Sequence, residues 1–215
     1  ICAVDTVATA SVCSNLPITD GSPDGTSGVA TADLNHDTRT DVVVTNENGT
    51  INVCLDNGSN GWTCSSQGAS GRHNGVVIAD LNGDGHPDIV SVIETLAQMD
   101  QCLGNGSGGF TCSRIAAPAL ATRLVAADFD SDGDRDLVFA SPPSGGLLCL
   151  NSGAAAYTCS AIASVTTAHD VESADFNADG KLDVAFAAWT ANDPVCLGDG
   201  LGGFSCSVYD VGGDS

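Results

Sequence analysis

Positive charge is nearly absent from this chain. Its 215 residues hold a single lysine, Lys181, and Lys and Arg together number 6 against 27 Asp and Glu, a formal net charge of −21. Such a surface repels polyanions, which argues against nucleic acid and anionic bilayers as partners and leaves a cation as the natural counterpart. Long apolar runs are also missing: none approaches the ~20 residues of a membrane span, so no membrane insertion is expected. The chain opens at Ile1 with neither Met nor a signal-like segment, and it reads as a mature, processed chain or a piece of one. Glutamate is confined to Glu47, Glu94 and Glu172 and no nucleophile motif occurs, which leaves little material for carboxylate-pair chemistry and predicts a protein that is not an enzyme. Of the four histidines, His73 and His169 fall in predicted connections, and His36 and His86 fall inside acidic loops, where outward-facing side chains are expected.

Glycine and cysteine are what the chain has in abundance, 26 and 10 residues. The cysteines form five local pairs: Cys2 with Cys13, Cys54 with Cys64, Cys102 with Cys112, Cys149 with Cys159, and Cys196 with Cys206. None has the CxxC spacing of a zinc knuckle or redox motif, so the expectation is five disulfides formed in an oxidising, extracellular compartment, the protein being secreted or on a cell surface. Sequons at Asn48, Asn57 and Asn105 fit that compartment as glycosylation acceptors, although Asn-Gly is also plain turn chemistry.

Self-similarity organises the chain. The stretches "VATADLNHDTRTDVVVTN", "VVIADLNGDGHPDIVSVI", "LVAADFDSDGDRDLVFAS" and "VESADFNADGKLDVAFAA" align with first aspartates at Asp33, Asp80, Asp128 and Asp175, a period of 47 or 48. The cysteine pairs keep the period, and an aromatic precedes each second cysteine by two positions: Trp62, Phe110, Tyr157 and Phe204. Short β-branched runs separated by Gly, Asn and Pro give about four strands per unit, with hairpin-turn signals between the paired cysteines that place each disulfide across the third and fourth strands. Four-stranded units at this period predict an all-β propeller of four full blades plus an N-terminal half blade. The expected boundaries are 1–27 for the half blade and link, 28–68, 75–114, 123–161 and 170–208 for blades 1 to 4, and 209–215 for a C-terminal link.

Each unit also carries an acidic loop of the form Dx[DN]xDGxxD. In "DFDSDGDRD" five aspartates alternate with other residues, and neighbouring charges roughly 6 Å apart repel by about 0.7 kcal/mol even in water. Alternate side chains can converge on one point, and a hard cation there resolves the repulsion by taking six to eight oxygens. The candidate side-chain ligands are Asp33, Asn35, Asp37 and Asp41; Asp80, Asn82, Asp84 and Asp88; Asp128, Asp130, Asp132 and Asp136; and Asp175, Asn177, Asp179 and Asp183. The position-7 carbonyls of Arg39, His86, Asp134 and Lys181 complete each set by analogy with other such loops, so that Asp134 points its side chain outward. About four structural calcium ions are expected. An EF-hand requires Glu at position 12, where this chain has Val44, Ser91, Phe139 and Phe186. The first loop is expected to be the weakest, because Thr38 stands where the others have Gly85, Gly133 and Gly180.

At these residues the units resemble FG-GAP or VCBS repeats, the calcium-bearing blades of integrin α-subunit propellers and of many secreted proteins. The resemblance spans about residues 28 to 207, and "CLGNGSGGFTC" is similar to the family's "LGNGDGTF" turn with cysteines added. It implies a calcium loop joining the first two strands of each blade, a structural ion, and ligand binding on the opposite face.

The inter-strand segments "NENGT", "IETLAQMD", "SPPSGG" and "WTANDP" differ between units, and recognition belongs on such variable loops. Trp189, Met99 and Arg123 are the candidate surface contacts, while the four recurring aromatics are assigned to blade core rather than to sugar stacking. The expected function is an extracellular structural or adhesive module, with a calcium-dependent glycan-binding lectin as the alternative. Because the first unit is only a hairpin, an open propeller edge is expected to pack against a longer parent chain or against copies of the protein, head to tail in a filament.

Overall fold

The computed structural model describes residues 2–4, 11–13, 16–18, 26–47, 49–59, 61–188 and 193–209. β1 (Cys2–Val4) and β2 (Ser11–Cys13) pair antiparallel with Cys2 opposite Cys13. The side chains of these two strands, and so the disulfide expected between them, lie outside the described residues, as do Asn48 and Trp189.

Four antiparallel sheets follow, each with its strands in chain order. Blade 1 contains β3 (Thr26–Ala32), β4 (Asp41–Asn46), β5 (Ile51–Asp56) and β6 (Trp62–Gln67). Blade 2 contains β7 (His73–Ala79), β8 (Asp88–Ile93), β9 (Gln98–Gly104) and β10 (Phe110–Ala116). Blade 3 contains β11 (Arg123–Ala127), β12 (Asp136–Ser141), β13 (Gly145–Asn151) and β14 (Tyr157–Ala161). Blade 4 contains β15 (Asp170–Ala174), β16 (Asp183–Ala187), β17 (Asp193–Gly198) and β18 (Phe204–Tyr209). The second strand of blades 1 to 3 is buried along its whole length, which is why the sequence there reads as a continuous run such as Val42–Val44 rather than as an alternation.

Four disulfides, Cys54–Cys64, Cys102–Cys112, Cys149–Cys159 and Cys196–Cys206, each join directly opposed residues of the third and fourth strands. Each closes a short hairpin and contributes roughly 2 to 3 kcal/mol in the chain-entropy view, which offsets the disorder favoured by a glycine-rich chain.

The core lies between blades. The residue after the first aspartate of the first three loops plugs the junction with the next blade: Leu34 clusters with Ile89 and Cys102, Leu81 with Leu137 and Cys149, and Phe129 with Val184 and Cys196. Phe110, Tyr157 and Phe204 pack on these clusters, as core rather than platform, and Phe204 meets Phe129 edge-on at 5.9 Å between ring centroids. The first strands form the inner ring, with β3 packed on β7, β7 on β11 and β11 on β15. Residues of all four, including Thr31, Val77, Val125 and Ser173, line an axial opening of about 310 Å³. Among the described residues, β15 and β3 make no comparable contact, so the ring of blades is not closed.

Three sequence expectations are corrected here. Met99 lies in β9, a central strand, and is 1% exposed between blades 2 and 3, so it cannot be a surface contact. Arg123 is half-buried and donates to the Asn74 side chain and the Thr122 carbonyl. His73 is not in a connection but begins β7 and is fully buried.

Candidate metal centre

The four acidic loops, each between the first and second strands of a blade, share one hydrogen-bonded skeleton. The first aspartate accepts the amide of position 6: Thr38 to Asp33 (2.8 Å), Gly85 to Asp80 (2.8 Å), Gly133 to Asp128 (3.1 Å) and Gly180 to Asp175 (2.8 Å). The position-3 oxygens of Asn35, Asn82, Asp130 and Asn177 accept the amides of Asp37, Asp84, Asp132 and Asp179. Those four aspartates in turn accept the amides of Arg39, His86, Asp134 and Lys181, each at 2.9 Å. The loop therefore curls its acidic side chains inward around its own amides.

The ninth position has a structural role that sequence reasoning missed. Asp41, Asp88, Asp136 and Asp183 are fully buried. One oxygen of each accepts the amide of loop position 2 (Leu34, Leu81, Phe129, Phe176), each at 2.9 Å. The other accepts an amide at the end of the third strand: Asp56 (2.9 Å), Gly104 (2.7 Å), Asn151 (2.8 Å) and Gly198 (2.8 Å). This aspartate clamps the loop to the blade as well as facing the acidic cluster. Burial pushes the carboxyls of Asp41, Asp88 and Asp136 above the usual aspartate range, with neighbouring loop carboxylates adding to the effect.

The third loop differs from the rest. In the others an amide at position 3 donates to the position-5 carboxylate: Asn35 to Asp37 (2.9 Å), Asn82 to Asp84 (3.1 Å) and Asn177 to Asp179 (3.1 Å). Asp130 cannot donate in this way, and burial and then Asp132 raise its pKa. Carboxylate oxygens of Asp128, Asp130 and Asp136 lie within 4.8 Å of one another, and Asp128 Oδ1 is buried with no hydrogen-bond partner. Converging oxygen donors with one lone oxygen fit a hard cation, which would supply the missing partner and cancel the repulsion.

The model of the FG-GAP-like repeat matches residues 33–91 and 128–186, two stretches that each run from an acidic loop into the second strand of the next blade and together make up more than half of the sequence. The chain belongs to the FG-GAP-like repeat family. No curated protein matches it significantly. Among 47 matching chains of solved structures is a crystal structure of BBS1N in complex with ARL6DN, soaked with lead, at 11% identity and a TM-score of 0.57. The match covers 85% of this chain and 55% of that one, so the chain spans about half of the neighbour's length; at this identity the likeness shows the propeller fold alone.

Within the FG-GAP-like units, position 7 places its side chain over a hairpin glycine of positive φ: Arg39 on Gly58, His86 on Gly106, Asp134 on Gly153 and Lys181 on Gly200. A methyl at residue 153 would fall 2.6 Å from an Asp134 oxygen, so Asp134 leans on the turn instead of pointing freely outward. The recurring glycine four residues after each first hairpin cysteine carries this signal in the sequence. In the first FG-GAP-like loop the Arg39 guanidinium already pairs with the Asp37 carboxylate and donates to the Asp56 carbonyl. Thr38 there holds φ 70°, where Gly85, Gly133 and Gly180 hold 81°, 98° and 84°. Because a side chain at such φ costs about 1 kcal/mol, Thr38→Gly is expected to stabilise the protein by roughly that amount in urea denaturation. No change, or a loss, would show that the Thr38 side chain compensates for its backbone.

Proposed function

We propose that this chain is a non-catalytic, calcium-stabilised structural or adhesive module of the extracellular space, and that it joins a second copy of itself through the outer face of blade 4. The exposure of Phe176 carries this reading. Its counterparts Leu34, Leu81 and Phe129 are 1%, 2% and 2% exposed because the next blade covers them, whereas Phe176 is 48% exposed. Leu197 on the same blade is 41% exposed, and Ala185 is half-buried where Val43, Val90 and Val138 are fully buried. On the opposite end of the array Val42, Val44 and Cys54 of blade 1 are buried while Val29 is exposed, so apolar surface is uncovered at both ends, with the larger side chains at blade 4.

The occupant that fits this face is another unit of the same repeat, since three such junctions already occur within the chain. Covering Phe176 and Leu197 contributes about 1.5 to 3 kcal/mol each when burial is complete. The hard-cation fit of the third loop supports the calcium assignment. The disulfides support an oxidising, extracellular location. Asn57 and Asn105 are exposed in hairpin turns, as glycan attachment requires.

Sedimentation velocity in calcium buffer tests this proposal. Association at micromolar concentration is expected, with the Phe176→Asp, Leu197→Asp double variant monomeric and equally stable. A wild-type chain that stays monomeric throughout, or a double variant that associates as before, overturns it.

A further inference from the structure

We propose that His36 and His86 form a second metal site of different chemistry, a two-imidazole clip for a late first-row divalent ion such as Zn²⁺ or Cu²⁺ that fastens blade 1 to blade 2. His36 occupies position 4 of the first acidic loop and His86 position 7 of the second. Their Nε2 and Nδ1 atoms lie 3.0 Å apart, with ring centroids at 5.3 Å and planes inclined by 53°. Two nitrogens bound side by side to one ion at about 2.0 to 2.1 Å are themselves about 2.9 to 3.4 Å apart for angles between square and tetrahedral. The rings already have that spacing, and among the described residues neither ring makes any other hydrogen bond.

Local backbone fixes the pair. His36 is in the left-handed region at φ 58°, and Gly106 closes over both rings: a methyl there would lie 2.5 Å from His86 Nδ1 and 3.0 Å from His36 Cδ2. The site faces solvent between two acidic loops, so the surrounding carboxylates raise the local cation concentration while water completes the coordination. Ligand chemistry separates the two kinds of site, because imidazole nitrogen suits Zn²⁺, Cu²⁺ and Ni²⁺ whereas carboxylate and carbonyl oxygen suit Ca²⁺. The corresponding pairs at the later junctions are Gly83 with Asp134 and Ser131 with Lys181, which offer no pair of nitrogens of this kind. The clip is thus specific to the junction whose first loop is held by the strained Thr38.

The test is calorimetric titration of the full, calcium-saturated chain with Zn²⁺ and with Cu²⁺, together with Cu²⁺ electron paramagnetic resonance and melting curves. One ion per chain at micromolar affinity is expected, with a two-nitrogen signature for Cu²⁺ and a rise in melting temperature. His36→Gln and His86→Gln should each weaken binding by roughly tenfold or more and abolish the rise, while His169→Gln leaves both intact. Binding that survives both substitutions, or no Zn²⁺ or Cu²⁺ binding to calcium-saturated wild type, overturns the proposal. The same holds if both variants merely lower the metal-free melting temperature with no metal effect in wild type, the behaviour of a plain histidine–histidine hydrogen bond.

Discussion

Chelating calcium from the purified chain is expected to lower its melting temperature by roughly 10 °C or more. An ion bound only by the folded state stabilises it by mass action, about 2.7 kcal/mol per site at a hundredfold excess over Kd. For a domain of this size each kcal/mol moves the transition by about 2 to 4 °C. The third loop should dominate, because Asp128, Asp130 and Asp136 converge there with an unpartnered oxygen, while an asparagine or Arg39 already relieves the position-5 carboxylate in the others. Asp130→Asn then separates the two effects. It gives the third loop the internal donor of its neighbours, so the chelated variant should melt higher than chelated wild type and gain less from added calcium. Scanning calorimetry with and without chelator, alongside elemental analysis, decides the matter. Protein that contains no calcium and whose melting ignores it would remove the calcium assignment altogether.

Arg114→Ala is expected to cost about 3 to 5 kcal/mol, the penalty for leaving a buried charge without its partner. Asp100 is 1% exposed, and the Arg114 guanidinium grips it with two bonds of 2.7 and 2.9 Å. The same guanidinium reaches the carbonyls of Ala69 and Ser70, so it also ties the link between blades 1 and 2 to the β9–β10 hairpin. His73 completes the network, with one ring nitrogen 3.1 Å from Ser91 Oγ and the other 3.4 Å from Asp100 Oδ2. Burial holds its pKa below the ordinary 6.5 despite Asp100. The folded state therefore resists protonating His73: its contribution to stability is complete above pH 6.5 and declines as pH falls below that value. Urea denaturation in excess calcium should show the Arg114→Ala loss, and an Asp100→Leu, Arg114→Met double variant should recover most of it. A loss under 1 kcal/mol in the single variant would mean that water reaches Asp100 and that the pair is not a buried one.

The sequence alone determined the features that live within a single repeat. The period shows as self-similarity at 47 or 48 residues, while the four-stranded unit, the acidic loop with its candidate ligands, and the pairing of Cys54, Cys102, Cys149 and Cys196 with their partners depend on residues at most a couple of dozen positions apart. Turn chemistry and strand alternation write such short-range geometry directly into the spacing. Tertiary structure decided what lies between repeats and which face each strand turns to its neighbours within one. Met99 and Phe176 are both large apolar residues in chain segments that sequence cannot rank by exposure. One is sealed at the junction of blades 2 and 3, and the other stands open, with none of the described blades packed over it. The second bond of Asp136, to Asn151, and the meeting of His73, Asp100 and Arg114 likewise arise only when strands turn a particular face to a neighbour. The approach of His36 to His86, 50 residues apart, has the same origin. The side a strand presents, and the angle at which one sheet lies on the next, are set by the collective packing of clusters drawn from two blades. No local run of residues carries that information.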